Sequence, residues 1–201
     1  MSLVIRARNI LVNPKLEWSV IAAEPESVKK FYTTYVGPLA LIAPIATFIG
    51  LSIIGFSVPF VGTYRIAPMS GLLQAAFAFA AALAGVFLLS LIINELAPTF
   101  HGSKDRVRAL KVAGYAATPG FLAGVLLIFP VLGVLQLIAA LYSLYLLYVG
   151  LPVLMKSPRE ATIGYTASVI GCAIVLGLIA GLGMSALHIG AADSHWTTLQ
   201  R

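Results

Sequence analysis

Glu95 is the only acidic side chain inside the long apolar stretches of this chain. A carboxylate there does one of two jobs: it pairs with a cation of the loop that follows, Lys104, Arg106, Arg108 or Lys111, or it holds a proton or a charged substrate. Its place within about a turn of the end of its stretch favours pairing. Tyr142, Tyr145 and Tyr148 recur at three-residue spacing with Ser143 beside them. On a helix, Tyr142 and Tyr145 put hydroxyls well inside a hydrocarbon layer, where each needs a partner. Hydrogen bonds between helices meet that need; a polar crevice for a lipid headgroup or small ligand is the alternative. Glu95, Tyr142 and Tyr145 are therefore the candidate intramembrane polar site. His101, His188 and His195 have no partner at metal-ligand spacing, and no HExxH, GxSxG, P-loop or GxGxxG pattern is present. The lone Cys172 excludes an intramolecular disulfide and a multi-cysteine metal site. These residues point to no enzyme, no metal and no cofactor.

The elements that carry these residues are set by hydropathy. From Val112 to Met155 there are 44 residues without a charged side chain, interrupted by Phe129-Pro130-Val131-Leu132-Gly133. A bilayer core of about 30 Å needs about 20 apolar residues per helix, so the run holds two spans joined by a turn. With 60% hydrophobic and 10% charged residues and a mean hydropathy of +0.98, the chain lies outside the range of soluble domains. The same counting gives five transmembrane helices, at about 35–57, 70–96, 112–129, 132–155 and 162–188. The expected fold is an all-α integral membrane protein: residues 1–34 an N-terminal segment, 35–188 the five-helix domain, 189–201 a C-terminal tail. Pro38, Pro44, Pro119 and Pro152 fall inside or at the rims of spans, where kinks are expected.

Charge orients the bundle. Eleven of the 13 Lys and Arg residues fall on one side of the five spans, leaving Arg65 and Arg201 opposite. The positive-inside rule then puts the N-terminus in the cytoplasm and the C-terminus outside. The formal charge of +6 is read first as that orientation signal. A nucleic-acid partner has no fold or motif behind it.

The first 34 residues lack the apolar core and small-residue cleavage pattern of a signal peptide. If helical, Leu3, Ala7, Ile10 and Leu11 share one face and Arg6 and Asn9 point away, until Asn13-Pro14 breaks the pattern. Such a segment lies on anionic lipid, with Trp18 at headgroup level, or packs as a cap under the bundle. Glu24-Pro25-Glu26 reads as the start of the helix that leads into span one. Arg6, Arg8, Lys104, Arg106, Arg108 and Lys111 are the candidate contacts to anionic lipid headgroups or an acidic partner. Small residues at four-residue spacing mark helix contacts: Ala116, Gly120 and Gly124 on span three, Gly177, Gly181 and Ser185 on span five.

Gly114-Tyr115-Ala116-Ala117-Thr118-Pro119, at the start of span three, resembles the Gly-Tyr-x-x-x-Pro signature of the Yip (Ypt-interacting protein) family. Gly37 and Pro38 match the Gly-Pro pair of the family's Asp-Leu-x-Gly-Pro-type element, here Tyr35-Val36-Gly37-Pro38. Asn13-Pro14-Lys15-x-Glu17-Trp18, Leu96-Ala97-Pro98-Thr99-Phe100 and the run from Tyr142 to Pro152 are similar to the bacterial inner-membrane branch. The resemblance implies a multi-pass protein of the bacterial cytoplasmic membrane with no catalytic residue. Eukaryotic members act in vesicle traffic with Rab-type GTPases through an extended N-terminal region. With about 34 residues before span one, that role is not carried over. The function expected is membrane-organising or accessory, with membrane lipids and other membrane proteins, or a second copy, as partners. The alternative is a small transporter or channel for a neutral or weakly charged solute, which a water-filled crevice at Tyr142, Tyr145 and Glu95 would favour.

Overall fold

The computed structural model describes residues 2–178 apart from Glu26, Pro59, Phe60, Val61 and Leu176. Asn13-Pro14 splits the N-terminal segment into two helices, α1 (Leu3–Val12) and α2 (Pro14–Ala23). Pro14 sits at the first position of α2, where its missing N–H is no loss. Arg6 of α1 reaches both Glu17 and Glu24, which folds the pair into a hairpin.

The first long helix, α3 (Val28–Ile54), starts at Ser27, whose hydroxyl accepts from the Lys30 N–H; Glu24-Pro25 does not begin it. Proline makes α3 irregular. Pro38 has no N–H and its ring crowds the carbonyl four residues back, so the chain widens to a π-turn over Tyr32–Val36, with the Gly37 N–H on the Tyr32 carbonyl. A Cβ on Gly37 would lie 2.8 Å from that carbonyl oxygen, so the turn requires glycine. A second π segment, Ile49–Ile54, ends at Gly55, whose φ of 88° only glycine adopts readily. The loop beyond contains a short antiparallel ladder of β1 (Phe56–Val58) with β2 (Gly62–Tyr64).

Helix α4 (Pro68–Phe100) tightens into a 3-10 turn at Pro98 and stops at His101 in the left-handed region. Helix α5 (Arg106–Ile128) begins six residues before the apolar run, because the Asp105 carboxylate accepts from the Val107 and Arg108 N–H groups at 3.0 Å. It loosens at Ala117, before Pro119, and again at the 3-10 segment Gly124–Ile128. Helix α6 (Leu132–Met155) continues through Pro152. The last helix, α7, is described over 162–175 and 177–178. Four of these helices, α3 to α6, are long and apolar enough to cross a membrane. The expectations at Gly181, Ser185, His188 and His195, and the outer part of the fifth span, lie outside the described residues.

Helix α5 sits at the centre, packed on α4 and α6. The N-terminal hairpin lies alongside these helices. Trp18 of α2 is fully buried against α6, where a Cβ on Gly150 would come within 2.6 Å of the indole. The expected headgroup position of Trp18 is thus corrected: its ring is inside the protein, edge-on to Tyr115. At the far end of the hairpin the Leu11 carbonyl accepts from the Tyr142 hydroxyl at 2.6 Å. Tyr142 lies 13 residues before Met155, so the hairpin reaches about 20 Å along α6. The apolar face Leu3, Ala7, Ile10 and Leu11 does turn inward, but Arg6 turns inward with it.

Candidate functional site

The hairpin closes on α3 and α5 through charge. Arg6 is 5% exposed, and its guanidinium donates to Glu17 at 2.5 Å and to Glu24. Glu17 is equally buried. Neither ion would tolerate this burial alone, so each accounts for the other. Lys111, one residue before the uncharged run, is also buried, and its ammonium donates to the Ile21 carbonyl at 3.0 Å and to the Glu24 carbonyl. These carbonyls end α2, where the helix leaves acceptors without intrahelical donors, and a cation is favoured there. The Arg6 guanidinium holds the Glu24 carboxyl below the usual carboxylate range.

Beside this network stand the residues of the two signatures. Tyr115 packs at a tilt against Tyr35 at 4.5 Å and Phe31 at 5.0 Å, between centroids, and meets Trp18 edge-on at 6.1 Å. Gly114 is small because Phe31 is there: a Cβ would stand 2.6 Å from the ring. The hydroxyl of Tyr35 shares a 2.8 Å hydrogen bond with Thr118, and Pro119 follows in the buried kink. The Gly-Tyr-x-x-x-Pro segment of α5 thus meets Phe31, Tyr35 and Val36 of α3, just before Gly37-Pro38, as one packed aromatic joint.

The other candidate residues are dispersed. Arg8, Lys104 and Arg106 are exposed, Arg108 is half-buried and paired with Asp105, and Lys104 is paired with Glu95. Glu95 also accepts from Asn94. Tyr142 donates to Leu11 and Tyr145 is 41% exposed, its ring 5.6 Å from that of Tyr142. Glu95 and the two tyrosines are therefore not brought together, and the expected shared polar site is corrected to two separate contacts. Gly124 packs hard on Ala43 of α3, 2.6 Å from where a Cβ would stand. Gly120 has only the Ser143 hydroxyl at 4.0 Å, and Gly177 has nothing within 4 Å among the described residues, so neither makes the close helix contact expected of it. Gly120 instead borders a largely apolar cavity of about 520 Å³ between α5, α6 and α7, with Gln136 and Ser143 as its polar residues.

Sequence reasoning assigned no function to Glu17 or Gly150, and it turned Arg6 outward. A signal existed: three of the seven acidic residues of the chain, Glu17, Glu24 and Glu26, follow the Asn13-Pro14 break, opposite the arginines that precede it.

Four helices able to cross a membrane, with α5 at their centre and a hairpin docked along α6, define a multi-pass membrane protein. The chain belongs to the Yip1 domain family, whose pattern matches residues 8–182. It is 28% identical over 167 residues to "Inner membrane protein YohC" of Escherichia coli strain K12, a match covering 82% of this chain and 86% of the relative. The protein of the same name from Escherichia coli O6:H1 gives the same figures. No solved structure matches.

Proposed function

We propose that this protein is an accessory, membrane-organising component of the bacterial cytoplasmic membrane that holds anionic lipid at its basic end and associates with other membrane proteins, without catalysing a reaction. Five spans, an internal N-terminus and an external C-terminus complete the reading. α7 is its fifth span, and the inner-membrane relative supports the location.

The observation that carries the proposal is the division of labour among the cations. Arg6 and Lys111 are consumed in joining the hairpin to the bundle. Lys29, Lys30, Arg106, Lys156 and Arg159 remain exposed at the same end, where α3, α5 and α7 begin and α4 and α6 finish. Each Lys or Arg near an anionic surface contributes roughly 1 kcal/mol, so such a set favours an acidic surface. The outer side of the hairpin carries Val4, Ile5, Val12, Leu16 and Val20, all exposed, which suits contact with acyl chains. The transporter reading has less behind it, since Tyr142 is engaged by Leu11 and Glu95 by Lys104.

The test is lipid retention by the purified protein, read by native mass spectrometry with phosphatidylglycerol and phosphatidylcholine offered together. A preference for phosphatidylglycerol that weakens with salt is expected; equal retention of the two would sink the lipid reading. Reporters after residues 103 and 201 should read as internal and external, and two reporters on the same side would remove the five-span topology.

A further inference from the structure

Lys15 opens the second helix of the hairpin and borders a groove of about 610 Å³ between α2, α6 and the start of α7. Ser19, Tyr148, Ser157, Arg159 and Thr162 line it as well. Its charge is of one sign. Among the described residues neither Lys15 nor Arg159 has an ion pair, and no carboxylate borders the groove. Ser157 is 6% exposed and its hydroxyl has no hydrogen-bond partner. A buried hydroxyl without a partner is costly, and it marks a place where something else supplies the bond.

From these observations we propose that the groove is a binding site for the phosphate of an anionic phospholipid headgroup. Lys15 and Arg159 supply charge from two elements, and Ser157 and Tyr148 supply hydroxyl donors. The rim selects lipid over free phosphate. Leu16 and Ile163, next in sequence to Lys15 and Thr162, are 72% and 69% exposed, so two of the helices that border the groove also present apolar side chains outward. Depth argues the same way. Lys15 stands beside Tyr148, seven residues before Met155 and about 10 Å along α6, where a lone ammonium is unfavourable unless it meets water or an anion.

The site rests on the anionic-lipid reading above, and its test separates the two. The full-length protein, stripped of native lipid in detergent, is titrated with phosphatidylglycerol, with phosphatidylcholine and with inorganic phosphate, and the first bound molecule is followed by native mass spectrometry. Lys15→Gln with Arg159→Gln should weaken the first phosphatidylglycerol by about ten-fold to thirty-fold, clearly more than Lys29→Gln with Lys30→Gln does. Lys15→Arg with Arg159→Lys should retain binding, which excludes misfolding as the cause. Ser157→Ala should weaken it by about three-fold. Equal losses in the two Gln pairs would overturn the groove as a site and leave a diffuse basic face. Inorganic phosphate that binds while phosphatidylglycerol does not would overturn the lipid as its source. No phosphatidylglycerol preference in the unaltered protein would remove the broader reading as well.

Discussion

Helices α4 and α5 are both long and apolar, yet they occupy opposite situations. The most apolar stretch of α4 is 17% buried and that of α5 is 50% buried. Helix α4 presents Met69, Leu72, Leu73, Phe77, Phe87 and Leu88 outward, while α5 has every residue from Ala109 to Ala116 inside. The less apolar helix is the buried one. In water the reverse holds, because hydrophobic burial drives the core together; in a bilayer the lipid is as apolar as leucine, and close packing and polar contacts decide which helix goes inside. Helix α5 has what that requires: Gly114 against Phe31, Gly124 against Ala43, and Lys111 on the end of α2.

The charges separate the two helices most strongly. Arg6→Ala leaves Glu17 buried without its cation, and removing one partner of a buried pair costs about 3 to 5 kcal/mol. The thermal transition in detergent should fall accordingly, with the hairpin becoming accessible to protease. On α4 the equivalent change, Lys104→Ala opposite Glu95, disrupts a pair in which both side chains are exposed, and the transition should not move. Equal shifts in the two variants would mean that burial does not distinguish the two regions.

Next come the glycines. Gly150→Val and Gly114→Val push a side chain into Trp18 and Phe31, and overpacking of this kind costs about 1 to 3 kcal/mol. Gly85→Val on α4 and Gly171→Val on α7 meet nothing within 4 Å and should stay within about 0.5 kcal/mol. The same melting experiment reads all four. A large loss at Gly85 would show that the α4 face is covered, which is how an oligomer contact would announce itself.

Tyr142→Phe removes one hydrogen bond at the tip of the hairpin and should cost about 0.5 to 1.5 kcal/mol. Hydrogen exchange sharpens this prediction: protection should drop at the α1–α2 turn and not at Trp18. Loss of protection along the whole hairpin would mean that Tyr142, rather than Trp18 and Arg6, anchors it.

Hydropathy alone placed the four helices α3 to α6, because a stretch of about 20 apolar residues has few other uses. The starts were less legible. Helix α3 begins at Val28 and α5 at Arg106, each before its apolar run, since Ser27 and Asp105 cap them. The hairpin was hidden for a different reason. An amphipathic pattern assigns arginine to the polar face, and that holds only for a helix lying on a flat surface. Arg6 meets Glu17 eleven residues away, across a turn, and no single-helix periodicity carries that contact. Gly114, Tyr115, Pro119, Gly37 and Pro38 were legible as signatures. Their physical causes, an aromatic joint between α3 and α5 for Gly114 and Tyr115 and the π-turn of α3 for Gly37 and Pro38, needed the third dimension.

The smallest effect concerns acid. Arg6 donates to Glu24 and lowers its carboxyl below the usual carboxylate range, with Lys111 adding to the positive field. A carboxylate whose folded value is depressed contributes stability that is present above its unfolded value and is lost as pH falls through the folded one. Glu17 faces the same guanidinium. Glu24 is partly exposed, so solvent screens its share. Compared with Glu24→Gln, the unaltered protein should therefore melt higher at neutral pH, and the gap should close as pH falls below about 4.5. A gap that is constant between about pH 6 and pH 3 would show that Glu24 contributes through shape and not through charge, leaving Glu17 as the partner that holds Arg6 inside.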